Sequence, residues 1–480
     1  MNSSQKLTFR EKAGYGCGDF ASVLFWATIS NWLLYFYTDV FGISASAAGL
    51  MILVSRIWDG VNDPMMGLIA DRTNTRWGKY RPYLMWMAIP MGVIATLTFS
   101  TPDLGATGKL IYAWVTYMLF MMTYTAINIP YSSLLGVITA DTEERTSVAF
   151  YKYVFALTSS GVVSLVGLPL AKNVFGTDLA MVVLGHPSEA FGWQVMMGLF
   201  SLVAVGFFLI TFASVKERVQ PPPKQKSSVG RDLKDLLANP YWLIVLFGSL
   251  FMILFIAVRM SVTTHYFKYY VADQSITLFG HRWTFGFVAL STVFSTIGGW
   301  MGVVGIIATQ SLTHRLGKRT AFFVFMLISV VCTAFFYVLP PDALYLIFGL
   351  QVVGSFFGGP MCPLIWAMFA DIADYGEFKN GRRSTGLIFS ASSMSQKMAW
   401  AISGFTVGGL LTAVGYQPNV EATPEVKHGL VLMMSLIPAA SGIIAIAVMS
   451  VYRLDRKKMT EISEVLKERR DASATAQTLA

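Results

Sequence analysis

Long apolar runs constrain this chain before anything else does. Stretches of about 20 residues, the length a bilayer-crossing helix needs, recur at roughly 15–40, 46–70, 82–100, 109–139, 148–171, 192–214, 241–267, 287–309, 320–339, 343–370, 385–414 and 427–452. Inside hydrocarbon the backbone must satisfy its own polar groups, and a run of that length does so as a helix. Twelve helical spans are therefore expected, in an all-α membrane protein. Composition agrees: 54% of the 480 residues are hydrophobic and 13% are charged, about half the charged share of a soluble domain.

The formal charge of +9 follows topology and is not a nucleic-acid footprint, so no nucleic acid is expected as a partner. Of 36 Lys and Arg, 27 fall on the side bearing both termini, five on the other side, and four (Arg56, Lys152, Arg259, Lys397) within spans. By the positive-inside rule both ends are expected in the cytoplasm. The first dozen residues are polar and the first apolar run exceeds a signal-peptide core, so no cleavable leader is expected. Cys17, Cys332 and Cys362 have no paired spacing and point to neither a metal site nor a disulfide framework.

The chain divides once. Val215–Asn239 is the longest polar interruption, with three consecutive prolines and six basic side chains, and reads as a linker between residues 1–214 and 240–452, with 453–480 a tail. A weak repeat supports the division: an Arg-x-Gly-Lys turn follows the second span (Arg76–Lys79) and the eighth (Arg315–Lys318). Two six-helix halves with a site between them at mid-membrane describe the major facilitator architecture.

Two aspartates interrupt the second apolar run, Ile52–Ala70. Asp59 and Asp63 lie one helical turn apart and share a face, with Asn62 beside them and Arg56 one turn before. An ionised carboxylate at mid-membrane costs roughly 2.5–3.5 kcal/mol on the lenient scale. A chain that keeps two is expected to use them on a cation. The bland alternative is a brace, the aspartates pairing with Arg56 and Lys397 to hold helices together.

The segments RIWDGVNDPMMG, DRTNTRWGKYRPY, NIPYSSL (Asn128–Leu134) and ADIADYGEFKNGRRSTG (Ala370–Gly386) together resemble the glycoside–pentoside–hexuronide cation symporters, the family of the melibiose and glucuronide permeases. The resemblance runs from about Phe9 to the end of the twelfth span, with order and spacing kept. It implies a major facilitator fold of twelve transmembrane helices in two halves. The activity it implies is secondary active uptake of a sugar or glycoside with Na⁺ or H⁺ by alternating access, without a cofactor or enzymatic chemistry. A bacterial inner membrane is the implied location, and a monomer the working unit.

The resemblance also implies site residues. Asp59, Asn62, Asp63 and Thr125 match the cation site. Asp19 matches a position that binds sugar hydroxyls, while Asn128 and Lys152 stand where family members carry polar or basic side chains. Trp366 and Tyr131 are aromatic candidates for the cavity. Arg259 is an additional cation able to grip a carboxylate bidentately, which would suit a hexuronide. Arg56 and Lys397 are the expected coupling residues. Two departures stand out: Gly18 replaces a lysine of the melibiose type and Ser132 replaces a tryptophan, which puts strict α-galactoside specificity in doubt. Asp71, Arg72, Arg76, Lys79 and Arg81 are expected to gate against Asp371, Asp374, Glu377, Arg382 and Arg383, and Pro130 to bend the fourth span.

Other classes fit less well. Gly16–Asp19 matches the GxGD of intramembrane aspartyl proteases, but no Tyr-Asp pair exists in the chain to supply their second aspartate. A lysolipid carrier on the same fold would need an apolar cavity, and Asp19, Asn128 and Lys152 favour a hydroxylated ligand. Passive facilitation would show no dependence on either ion.

Overall fold

The computed structural model describes residues 6–139, 142–218, 237–278, 281–380, 385–454, 458–462 and 464–465. Most of the linker, Arg382, Arg383 and the end of the tail lie outside the described residues, as does the Asp71 side chain. Helices dominate. The first half holds α1 (Phe9–Tyr35), α2 (Ala45–Arg72), α3 (Arg81–Trp86), α4 (Ala88–Thr98), α5 (Ala106–Val137), α6 (Thr142–Pro169), α7 (Ala180–Leu184) and α8 (Glu189–Ser214). The second holds α9 (Pro240–Tyr266), α10 (Phe287–Ala308), α11 (Gln310–Leu316), α12 (Lys318–Phe335), α13 (Leu344–Gly358), α14 (Met361–Asn380), α15 (Thr385–Ala413), α16 (Pro424–Met434) and α17 (Leu436–Ser450).

Among the described residues nine helical stretches are long and apolar enough to cross a bilayer, and the chain is a multi-pass membrane protein. The other three expected spans are helical but miss that criterion for visible reasons. In α2 the charged residues Arg56, Asp59 and Asp63 interrupt the run; α3 and α4 are separate short helices; α15 is polar around Ser392–Lys397. Among the described residues an antiparallel strand pair departs from the all-helical expectation after α9, β1 (Gln274–Leu278) with β2 (His281–Phe285), in which Gln274 pairs with Phe285.

Local signals explain the helix starts. Thr8 and Glu11 form a reciprocal capping box at α1, and Ser44 and Ser188 cap α2 and α8. The ends of α1 and α9 are less ordinary. Each runs into a π-helical turn, Phe36–Val40 and Phe267–Val271, closed by bonds from Phe41 N to Phe36 O and from Ala272 N to Phe267 O, both 2.8 Å. The two sequences, Tyr35-Phe36-x-x-x-Val40 and Tyr266-Phe267-x-x-x-Val271, repeat one pattern at the same place in each half.

Spatial proximity groups the chain into two compact units that do not follow the halves. The first contains residues 1–223 together with 260–296 and 404–430. Its core includes Trp32, Tyr35, Phe36, Phe41, Phe99 and Trp193, clustered at the far end of α1. Small residues let the start of α2 approach the end of α15: a Cβ on Gly408 would lie 2.2 Å from the Ala45 carbonyl oxygen. Such close backbone approach is how helices associate where lipid supplies no hydrophobic contrast. The second unit is built on a core of Trp242, Phe255, Phe322, Phe325, Met368 and Met449, among others.

Candidate functional site

The acidic face of α2 meets α5. The 3.6-residue period puts Asp59, Asn62 and Asp63 on one side of α2, and Thr125 of α5 faces them. Thr125 Oγ1 lies 3.1 Å from Asp63 Oδ1 and 3.4 Å from Asp59 Oδ1. Thr125 and Asp59 are 2% and 1% exposed, so this polar meeting point is shielded from bulk solvent. A hydroxyl has one proton to donate, and here two carboxylates converge on it. Asn62 Nδ2 is buried without a hydrogen-bond partner among the described residues, as expected if that amide serves through its oxygen.

A cation fits the donor set. Oxygens around an ion with bonds of about 2.4 Å sit roughly 3.4 Å apart at neighbouring octahedral corners. The Thr125–carboxylate separations are close to that spacing. The internal cation Arg56, 4% exposed, approaches Asp59 Oδ2 at 3.7 Å while its guanidinium stacks 4.2 Å from the Trp26 ring centre. At 3.7 Å this is a loose pair, closer than bulk contact but longer than a charge-assisted hydrogen bond.

Two turns nearer the chain start, Asp19 Oδ1 lies 3.8 Å from Lys152 Nζ of α6. Asn128, half-buried on α5, accepts at 3.4 Å from Ser132. Trp26, half-buried, stands seven residues after Asp19 on the same face of α1, with Tyr124 5.9 Å away. Sequence reasoning missed Trp26, although its i, i+7 spacing from Asp19 was the available signal. It links the two clusters, because the guanidinium stacked on it is the one that reaches Asp59.

Tyr131 differs from the expected cavity-facing ring. It is fully buried and stacked on Tyr15 at 4.6 Å, and each hydroxyl donates to the other's backbone carbonyl at 2.8 and 3.1 Å. One face is covered by Tyr15 and the polar tip is occupied, which makes it a clamp between α1 and α5, with Lys152 Nζ 5.9 Å from the ring centre. It also accounts for Gly18: a Cβ there would come within 2.5 Å of the Tyr131 ring. The lysine of the melibiose type has no room unless Tyr131 moves.

In the second unit Arg259 donates to Thr333 Oγ1 at 3.2 Å and to Gln351 Oε1 at 3.1 Å, and lies 5.0 Å from the Phe336 ring centre. Two of its donors serve neutral neighbours within the unit, where the sequence reading expects a carboxylate grip. Trp366 is half-buried against Phe369 in the core of that unit. Lys397 is half-buried on α15.

The charged turns expected at the gate are tied within their own units. The Glu217 carboxylate accepts from three successive backbone amides, Lys79, Tyr80 and Arg81, at 2.9, 2.7 and 3.0 Å. Gly78, at φ +111°, gives the turn a backbone that L side chains rarely adopt. Arg81 donates to the Phe212 carbonyl at 2.6 Å and the Trp77 carbonyl at 3.3 Å; burial draws its pKa down and Glu217 acts against that. Sequence reading passed over Glu217, whose only signal was an acid just past α8. Arg72 and Arg76 are exposed, the latter over Trp77 at 4.4 Å. In the second unit Lys318, the lysine of the repeated turn, holds Asp371 with 2.7 Å to each carboxylate oxygen. Asp374 and Glu377 follow on α14, half-buried.

Known proteins resemble the chain along its whole length. The family described as MFS/sugar transport protein matches residues 14–456. A putative glycoside/cation symporter, YagG, of Escherichia coli (strain K12) is 35% identical over 472 residues, 98% of this chain and 97% of that protein. The isoprimeverose transporter of Lactiplantibacillus pentosus is 32% identical, covering 97% and 93%. Among solved structures, an inward-facing, unoccupied bacterial homolog of the human lysosomal transporter Spinster superposes with a TM-score of 0.66 at 12% identity. It covers 94% of this chain and 97% of its own. At that identity the likeness is one of fold.

Proposed function

The chain belongs to the MFS/sugar transport protein family, and from that premise we propose that it is a secondary active symporter of a sugar or glycoside, driven by Na⁺ or H⁺. It is not an enzyme. The ion is cargo. Asp59, Asp63, Thr125 and the Asn62 carbonyl take it up at the α2–α5 meeting point, and H⁺ coupling would use the same carboxylates. Asp19, Asn128 and Lys152 donate to and accept from sugar hydroxyls, and Trp26 offers an aromatic surface beside them.

Arg56 supplies the coupling within the first unit. With no ion present its guanidinium is free to lean toward Asp59; an arriving ion competes for that carboxylate and returns Arg56 to the Trp26 ring, next to the sugar groups. Lys397 has the equivalent part in the second unit. The chain sits in the bacterial inner membrane with both termini in the cytoplasm, following its lysine and arginine distribution. Arg72, Arg76, Asp374 and Glu377 serve the cytoplasmic gate, while Arg81 and Asp371 stiffen the helix ends that carry it.

The observation that supports this reading most directly is one hydroxyl within 3.4 Å of two carboxylates on α2, the second expected span. Uptake of a panel of pentosides, hexosides and hexuronides, with Na⁺ and pH gradients imposed separately, tests it. Accumulation that survives collapse of both gradients would rule the symport reading out. Uptake of lysolipid in preference to every sugar would move the chain to an amphiphile carrier.

A further inference from the structure

A second charged cluster lies at the end of α1 farthest from the N-terminus. Its centre is Asp39, in the π turn that closes α1, with a side chain wholly out of solvent. Lys268 Nζ, from the matching π turn after α9, lies 2.7 Å from Asp39 Oδ1. His265 Nε2 is 3.4 Å from Oδ2 and 3.2 Å from the Thr38 hydroxyl, which itself donates to Asp39 at 2.7 Å. The hydroxyls of Tyr269 and of Tyr416, in the loop after α15, donate to the same carboxylate in short hydrogen bonds. Asn419, in the left-handed region at φ +58°, donates to the Asp39 carbonyl at 2.7 Å and accepts from Lys268 at 2.6 Å. All of these residues belong to the first unit.

A surrounding layer extends the network. The Tyr35 hydroxyl accepts from Lys268 at 3.3 Å and from Lys172 at 3.1 Å and donates to Glu189 at 3.1 Å, while Lys172 and Glu189 pair at 2.7 Å. The Asp39 carboxylate is thus held by side chains from three stretches far apart in sequence: the end of α1, the end of α9 and the loop after α15.

As a permanent brace this would be a poor device. A buried ion pair gains little over apolar packing of the same volume, because desolvation offsets the attraction. Such a pair does suit a switch. Closed, the charges satisfy each other; separated, each is hydrated, so neither state leaves a charge without a partner, and the balance stays within reach of transport. π turns inside helices also occur disproportionately at functional positions.

We propose that Asp39 and the side chains converging on it form the outer gate of the transport path: a latch that holds the side opposite the termini shut and parts when that side opens. The proposal rests on the transport reading only in requiring a path with two sides, and its first test needs neither a sugar nor an ion. Val262 is fully buried one turn before His265 on the same face of α9. A variant with Cys17, Cys332 and Cys362 replaced and Val262→Cys added is treated in intact cells with a membrane-impermeant maleimide. Asp39→Asn and Lys268→Met should each raise the labelling rate about tenfold or more, since each leaves a buried partner uncompensated. The charge-exchanged double variant, Asp39→Lys with Lys268→Asp, should return it toward the starting value. Unchanged labelling in single variants that reach the membrane in normal amounts would overturn the proposal. If they fail to reach it, a latch-intact variant decides. Ser46 N donates to Thr412 Oγ1 at 3.1 Å on this same side. Joining Ser46→Cys to Thr412→Cys with a short thiol cross-linker should abolish uptake, reversibly if the linker is cleavable, and undiminished uptake would overturn the proposal.

Discussion

Replacing Thr125 by Val tests the ion site with little change of shape. Valine matches threonine in volume, and the site is 2% exposed, so packing is kept while one oxygen is removed. Two effects oppose each other. The ion-free form loses a hydrogen bond to a carboxylate, worth about 1.5–3 kcal/mol at good geometry. Here the separations are 3.1 and 3.4 Å, beyond the usual O–H···O range of about 2.5–3.0 Å, so the loss falls at or below the low end. The ion-bound form loses a direct ligand at about 2.4 Å, and that contact is the stronger of the two. The net change is therefore a weakening of ion binding by about 1–2 kcal/mol, roughly 5- to 30-fold in the half-saturating ion concentration. The assay is initial-rate sugar uptake in membrane vesicles against Na⁺ at fixed pH and against pH without Na⁺, with Thr125→Ser as the control that keeps the oxygen. Wild-type ion dependence in Thr125→Val would refute a ligand role for Thr125. Tighter ion dependence would show that the hydrogen bond of the ion-free form outweighs the ligand contact of the ion-bound form.

Three more outcomes follow from named contacts. Asp59→Cys should abolish gradient-driven accumulation while leaving the protein in the membrane at normal abundance; accumulation at wild-type levels would contradict a cation role for Asp59. Asp19→Ala removes the partner 3.8 Å from Lys152 and should abolish sugar binding, read by equilibrium binding of a labelled ligand once the substrate panel has identified one; retained affinity would count against a sugar role for Asp19. Glu217→Ala strips a carboxylate from three backbone amides and should lower the thermal midpoint of the detergent-purified protein, since hydrogen bonds to a charged group contribute about 1.5–3 kcal/mol each before water replaces them. An unchanged midpoint would show that water already satisfies that turn.

Arg259 and Tyr131 show what residue type alone leaves open. A half-buried arginine in a transporter of sugars suggests a carboxylate ligand, yet two of its donors go to Thr333 and Gln351. A tyrosine after a helix proline suggests a sugar platform, yet its ring is spent on Tyr15. Both residues are amphipathic and can face either a cavity or a neighbouring helix. The neighbour decides, and nothing local encodes it.

The sequence by itself determined what depends on local period and on transfer from water. Apolar run length marked the long helices of a multi-pass membrane protein. The helical repeat put Asp59, Asn62 and Asp63 on one side of α2. The tertiary structure alone decided which partners those side chains meet: Thr125 between the two carboxylates, Lys152 against Asp19, Glu217 on the turn before α3. The Asp39 cluster is the extreme case, since Lys268 and Tyr416 lie 229 and 377 residues away along the chain. Its repeated Tyr-Phe-x-x-x-Val signature is written in the sequence, but it becomes a latch only where two π turns meet. A helix records its own face in its spacing, and which helix will press against that face is set by packing over the whole fold.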